Sequence, residues 1–162
     1  MLVACTSGGK RTAWESPNPI NVKLGDPFIL HASDGRYYMY GTSLADGFEA
    51  FVSDDLHQWT PCGQIYRGGT PEQWNLDCFW APEVYERGGK YYLFYSANKR
   101  DNPEGDLEVF RIGVAVSDSP TGPFVDSGAP IITDADRPKE ARGGQAIDVD
   151  VFRDPKTGKY YL

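Results

Sequence analysis

Histidine and cysteine are scarce in this 162-residue chain: His31 and His57 are the two histidines, and Cys5, Cys62 and Cys78 the three cysteines. No CxxC pair and no Cys/His cluster at metal-binding spacing occurs, which excludes a zinc-type structural site. Two histidines likewise argue against a histidine-based metal site. Basic residues are also short. Sixteen Lys and Arg face 23 Asp and Glu, a net charge of −7, whereas binding nucleic acid requires positive surface. The acids are too evenly spread for a disordered acidic tail. No apolar run is long enough to cross a membrane as a helix. Helical periodicity is missing too, and 18 Gly with 12 Pro leave little room for long helices. What the chain does hold is aromatics, 14% of its residues, grouped in strand-like runs. The reading is an all-β fold with a neutral or weakly charged ligand.

One phrase occurs three times: Gly35-Arg36-Tyr37-Tyr38-Met39-Tyr40, Gly89-Lys90-Tyr91-Tyr92-Leu93-Phe94-Tyr95 and Gly158-Lys159-Tyr160-Tyr161-Leu162. Each is a turn glycine, a cation and an aromatic run. A recurrence at roughly 50–70 residues points to a propeller or a solenoid. Without helical periodicity the propeller is favoured, with four short antiparallel strands to each blade. In the first unit, strands are predicted over 26–32, 37–42, 48–53 and 62–66. In the second they are predicted over 81–86, 91–97 and 111–117. Ser53 and Ser117 occupy matching places and open matching turns, 54–59 and 118–124. The third unit begins with an inner strand over 146–152 and turns at 154–158. Residues 1–20 read as a tether and lead-in. Residues 21–162 read as a partial propeller, with blade one over about 21–70, blade two over about 76–132 and the start of blade three over about 144–162. Blades close in a ring to bury their faces and edges, so the sequence is expected to be a truncated piece of a longer protein.

The first residues carry a separate signal. Leu2-Val3-Ala4-Cys5 has the form of a bacterial lipobox, followed by the polar tether Thr6-Ser7-Gly8-Gly9-Lys10. The expectation is lipidation at Cys5, membrane attachment through that anchor, and a periplasmic or cell-surface location. The plain alternative is a start site that falls there by chance, because no basic and apolar segments precede the motif. Cys62 and Cys78 then either pair in an oxidising compartment or remain two separate buried thiols.

Stacking the three inner strands in register aligns Asp26, Ala81 and Asp148. Next come Pro27, Pro82 and Val149, then Phe28, Glu83 and Asp150. Side chains alternate across a strand, so Asp26 and Asp148 face one environment from different blades, and Glu83 and Asp150 share another. Inner strands line the central channel, and concentrated carboxyl groups there raise one another's pKa unless they are used or paired. For Asp26 alone the plain alternative is a strand-start Asp-Pro; the matching Asp148 strengthens the catalytic reading. Asp150 reads as a hydrogen-bonded channel residue, and Glu83 equally as a substrate contact or a structural group. Asp54, Asp55 and Asp118 read as caps of outer turns. One tyrosine of each pair is expected to pack between blades. Trp80 precedes an inner strand and is either a platform for the apolar face of a sugar or a plug at the blade junction. The segments 68–75 and 133–144 lead into inner strands and are expected to rim one mouth of the channel.

The phrases Gly25-Asp26-Pro27-Phe28-Ile29, Phe79-Trp80-Ala81-Pro82-Glu83-Val84 and Ala146-Ile147-Asp148-Val149-Asp150-Val151-Phe152, in that order, resemble the N-terminal half of glycoside hydrolase family 43. The resemblance implies a five-bladed β-propeller that hydrolyses arabinose- and xylose-containing plant polysaccharides or oligosaccharides, with inversion at the anomeric carbon. It implies Asp26 as general base and Asp148 as the residue that tunes and orients the general acid; Val149 stands where the family has proline. Phe28, Trp80 and Glu83 are the candidate substrate contacts, read from their places on or just before the inner strands. The acid itself is a glutamate of a later blade that no residue here matches, so the piece alone is expected to be inactive. No cofactor is implied as required, no metal ligand is assigned, and a structural calcium would draw its ligands largely from other blades. The competing reading is a non-catalytic carbohydrate-binding or interaction propeller.

Overall fold

The computed structural model describes residues 20, 22–70, 73–98, 110–136, 138–141 and 145–162. Two four-stranded antiparallel sheets follow one another along the chain, each a simple meander. The first holds β1 (Gly25–His31), β2 (Tyr37–Thr42), β3 (Gly47–Ser53) and β4 (Thr60–Arg67). The second holds β5 (Asp77–Arg87), β6 (Lys90–Asn98), β7 (Arg111–Ser117) and the short β8 (Val125–Asp126). A hairpin of β9 (Phe152–Arg153) and β10 (Tyr160–Tyr161) follows. These are two propeller blades and the beginning of a third.

The repeated phrase marks the hairpin from first to second strand in each unit. Its glycines, Gly35, Gly89 and Gly158, all take left-handed backbone, with φ of 84°, 74° and 70°, where a side chain would be strained. The cation beside each glycine has a definite partner. Arg36 Nε sits 2.9 Å from Asp54 Oδ1, and Lys90 pairs with Asp118. Both aspartates directly follow the register serines, so the phrase and the outer turn fasten to each other in the same way twice. The turns themselves are capped by those serines. Ser53 Oγ accepts the Leu56 N–H at 2.9 Å, and Ser117 Oγ accepts the Ser119 N–H at 3.0 Å. Asp55 accepts the N–H groups of Gln58 and His57, which hold its carboxyl below the usual range.

The core lies between the two sheets. Phe48 is fully buried at its centre, with ring centroids of Tyr95 at 5.7 Å, Phe79 at 5.9 Å and Tyr66 at 6.1 Å. Alternation decides which tyrosine of each pair enters. In β2 the residues facing the second sheet are Tyr38 and Tyr40; in β6 those facing back are Tyr91, Leu93 and Tyr95. A buried polar network threads this aromatic interior. Tyr95 donates to Asp126 Oδ2 at 2.5 Å, Asn75 Nδ2 donates to the Tyr95 hydroxyl at 2.6 Å, and the Tyr66 and Tyr95 hydroxyls are 2.8 Å apart. Burial drives the Tyr95 hydroxyl far above the usual phenol range and the Tyr66 hydroxyl up to about 12.

One expectation needs correcting. The inner strand predicted over 146–152 is not a strand along most of its length; only Phe152–Arg153 pairs. In the register Tyr160↔Arg153 and Tyr161↔Phe152, Val151 would lie opposite Leu162 and residues 146–150 opposite positions after it, so residues 146–150 have no ladder partner here. The segment is nevertheless seated, because Ala146 and Val149 pack on Ile112 with Phe94 and Ile132 beside them. Val149, in the proline position, is thus a core residue. Cys62 and Cys78 are both half-buried and not joined in a disulfide, so of the two alternatives the thiol form holds. Cys5 lies outside the described residues, as do parts of the two segments expected to rim the channel.

Candidate active site

The three aligned inner positions share one unusual backbone state. Asp26, Ala81 and Asp148 all have left-handed φ, at 49°, 43° and 56°. Aspartate tolerates this region better than most residues, whereas for alanine it costs about 1–2 kcal/mol. In the two complete sheets the cause is a bulge. Regular pairing stops after Gly25↔Thr42 and resumes at Phe28↔Tyr40; in the second sheet it shifts between Trp80↔Ser96 and Glu83↔Phe94. A bulge bends the strand and re-aims the side chain at that point. Residues 26 and 81 sit at these bulges, while Asp148 holds the same left-handed φ in a segment that is not part of a strand.

The result is a cleft of about 260 Å³ lined by Asp26, Pro27, Phe28, Ala81, Pro82, Glu83, Asp148 and Val149. Four of the five predicted catalytic and substrate-contact residues, Asp26, Phe28, Glu83 and Asp148, therefore meet in one place. Trp80 does not line the cleft. Its ring stacks on Phe110 at 4.4 Å and remains 40% exposed. Phe28 is half-buried and lies 5.4 Å from the Tyr85 ring.

Two hydroxyl groups hold the left-handed residues in place. Thr42 Oγ1 donates to Asp26 Oδ2 at 2.7 Å and accepts the Ala81 N–H at 2.9 Å. Ser96 Oγ accepts the Asp148 N–H at 3.1 Å. Thr42 and Ser96 are the same position of successive repeats, seven residues after Gly35 and Gly89. Sequence reasoning passed over both, although a small hydroxyl residue recurring at that offset was a readable signal.

A third missed residue is Tyr85. Its hydroxyl contacts Glu83 and lies 3.2 Å from Asp150 Oδ1, while accepting the Val151 N–H at 3.1 Å. One phenolic proton serves two carboxylates, so Glu83 and Asp150 are bridged rather than repelled outright. Burial is the main reason that Glu83 sits above its ordinary pKa; the Tyr85 hydrogen bond opposes the shift and the Asp150 charge adds to it. Asp150 behaves as the hydrogen-bonded channel residue expected of it. Among the described residues no three His, Cys, Asp or Glu side chains are placed to hold a metal ion.

A partial propeller with two equivalent, left-handed aspartates in one cleft defines the class of protein. Residues 16–162 match the family model for glycosyl hydrolases family 43, and the chain belongs to that family. It is 37% identical to a xylosidase/arabinosidase 43A of Humicola insolens, over 90% of this chain and 44% of that protein. To a beta-xylosidase of Xylanibacter ruminicola it is 34% identical, over 86% of this chain and 43% of that protein. Among solved structures, a thermostable family-43 glycoside hydrolase matches 88% of this chain and 42% of its own, with 34% identity and a TM-score of 0.69. An endo-arabinase from Bacteroides thetaiotaomicron VPI-5482 matches 86% of this chain with a TM-score of 0.66 at 28% identity. The chain thus spans less than half the length of these relatives.

Proposed function

We propose that the protein to which this chain belongs hydrolyses xylose- or arabinose-containing polysaccharides or their oligomers by single-step inversion, with Asp26 as general base. The observation that carries this reading is the convergence of Asp26 and Asp148 in one cleft on the same left-handed backbone. Asp26 has one carboxylate oxygen anchored by Thr42, while its Oδ1 accepts no hydrogen bond from the described residues. That oxygen is free to draw a proton from water as the water attacks the anomeric carbon. An opposed acid protonates the leaving oxygen, and a separation of about 6.5–9.5 Å between the two carboxyl groups leaves room for the water. In this reading the acid comes from the part of the relatives that this chain does not span, Asp148 orients it and keeps it protonated by like-charge repulsion, and the 162 residues alone are inactive. Phe28 and Glu83 contact the sugar from the cleft wall, and Trp80 contacts it from outside the cleft.

The experiment is hydrolysis of aryl xylosides, aryl arabinofuranosides and arabinoxylan by the full-length protein, followed by proton NMR of the first sugar formed. The expected product has the inverted anomeric configuration, and Asp26→Asn lowers turnover by at least about 10²-fold. Retained configuration, or near wild-type turnover in Asp26→Asn, defeats the reading. The motif at Cys5 supports a second element of the proposal, export and lipid anchoring. Labelling with radioactive palmitate in a bacterial host, lost in Cys5→Ala, is the check.

A further inference from the structure

We infer that Thr42 is a positioning residue for Asp26 and that it couples the alignment of this carboxylate to the packing of the second sheet. The inference rests on the reading of Asp26 as general base. A threonine hydroxyl has one proton to donate, and here it goes to Asp26 Oδ2 at 2.7 Å. The direction of that proton is settled from the other side, since the same oxygen accepts the Ala81 N–H from the neighbouring sheet at 2.9 Å. Threonine is also stiff at χ1 because its Cβ is branched. Both ends of the hydroxyl are therefore committed, and the side chain has little freedom to swing.

Ser96 shows which part of this arrangement is general and which is particular to Thr42. It stands opposite Trp80 as Thr42 stands opposite Gly25, and it accepts the N–H of the left-handed residue of the next unit, Asp148, at 3.1 Å. Accepting the N–H of the next unit's left-handed residue is thus common to both. Reaching back to a carboxylate is done by Thr42, because its own inner strand carries Asp26 where that of Ser96 carries Ala81. The hydroxyl cap is scaffold; the bond to Asp26 is what it adds at the reacting group. With Oδ2 held, rotation of the carboxylate is restricted, and Oδ1 accepts no hydrogen bond from the described residues. A misplacement of about 1 Å in such a group costs on the order of 10²-fold in rate.

The test uses the full-length protein and four variants. Thr42→Val keeps the shape and removes the hydroxyl. Thr42→Ala removes it too but leaves room for a water to satisfy the Ala81 N–H, so the fold survives even if the valine variant is unstable. Thr42→Ser restores the hydroxyl, and Asp26→Asn tests the base itself. Thermal unfolding establishes which variants are folded. For Thr42→Val the expected result is a kcat lower by about 10²-fold with KM within about threefold; Thr42→Ala lies between it and the wild type, and Thr42→Ser stays within about tenfold of wild type. The inference is overturned if a folded valine or alanine variant keeps wild-type kcat, if the loss falls on KM, or if serine is as poor as valine. An active Asp26→Asn would instead remove the base assignment. An inactive Asp26→Asn beside a fully active Thr42→Val removes only the role of Thr42.

Discussion

Asp26 and Asp148, from two different blades, hold the same left-handed backbone, with φ of 49° and 56°. Ala81 holds it between them, at 43°. The repeat thus conserves a backbone shape at the channel even where it does not conserve the carboxylate. In each complete sheet that shape sits at a bulge, and a hydroxyl of the preceding unit, Thr42 or Ser96, accepts the N–H of Ala81 or Asp148.

The first prediction concerns Ala81. A β-branched residue is strongly disfavoured at positive φ, so Ala81→Val should destabilise the protein by about 1–2 kcal/mol. Ala81→Gly should be close to neutral, since relief of strain offsets about 0.5–1 kcal/mol of added chain entropy. Urea unfolding of the two variants is the measurement. Equal loss in both would show that the φ of residue 81 is not what matters.

Asp148→Asn should separate orientation from base catalysis. Losing a negative charge beside the general acid lets that acid ionise at lower pH. The alkaline limb of the kcat profile should then move to lower pH, with turnover reduced by about 10²-fold. A pH profile unchanged in shape would refute the tuning role.

Glu83 makes stability depend on pH with a definite sign. Its folded-state pKa is raised above the ordinary 4.5, mainly by burial. The folded state therefore holds this proton where the unfolded state has lost it, and stability falls as pH rises from about 4.5 through the folded-state pKa. Glu83→Gln should flatten that part of the melting-temperature profile. Tyr85→Phe should steepen it, because it removes the hydroxyl that favours the charged form. A Tyr85→Phe profile flatter than wild type would contradict this account.

The buried network around Tyr95 gives a prediction that is independent of catalysis. Tyr95→Phe preserves the ring packing against Phe48 and Trp74. It leaves the Asp126 carboxylate and the Asn75 amide each without one partner, at a cost of about 1–3 kcal/mol in unfolding free energy. Leu93→Ala, at a fully buried site between the sheets, should cost about 2–5 kcal/mol. Chemical denaturation would rank the two. A Tyr95→Phe variant as stable as wild type would mean that water satisfies the network.

The sequence by itself determined the strand order and the register of the repeat. Glycines that need positive φ, a cation, an aromatic run and a turn serine recur at matching places, and such local signals survive without knowledge of any neighbour. That is why β2 and β7 fall where the pattern puts them and why Asp26, Ala81 and Asp148 could be aligned. Only the tertiary structure decided what those residues do to one another. Thr42 reaching Ala81, Ser96 reaching Asp148, and Tyr85 bridging Glu83 to Asp150 all depend on one sheet packing against the next unit, and no spacing within one strand encodes that distance. The same holds for the failed inner strand over 146–152. Its residues have the right pattern, but a strand exists only when a partner pairs with it, so its pairing was beyond the reach of local sequence.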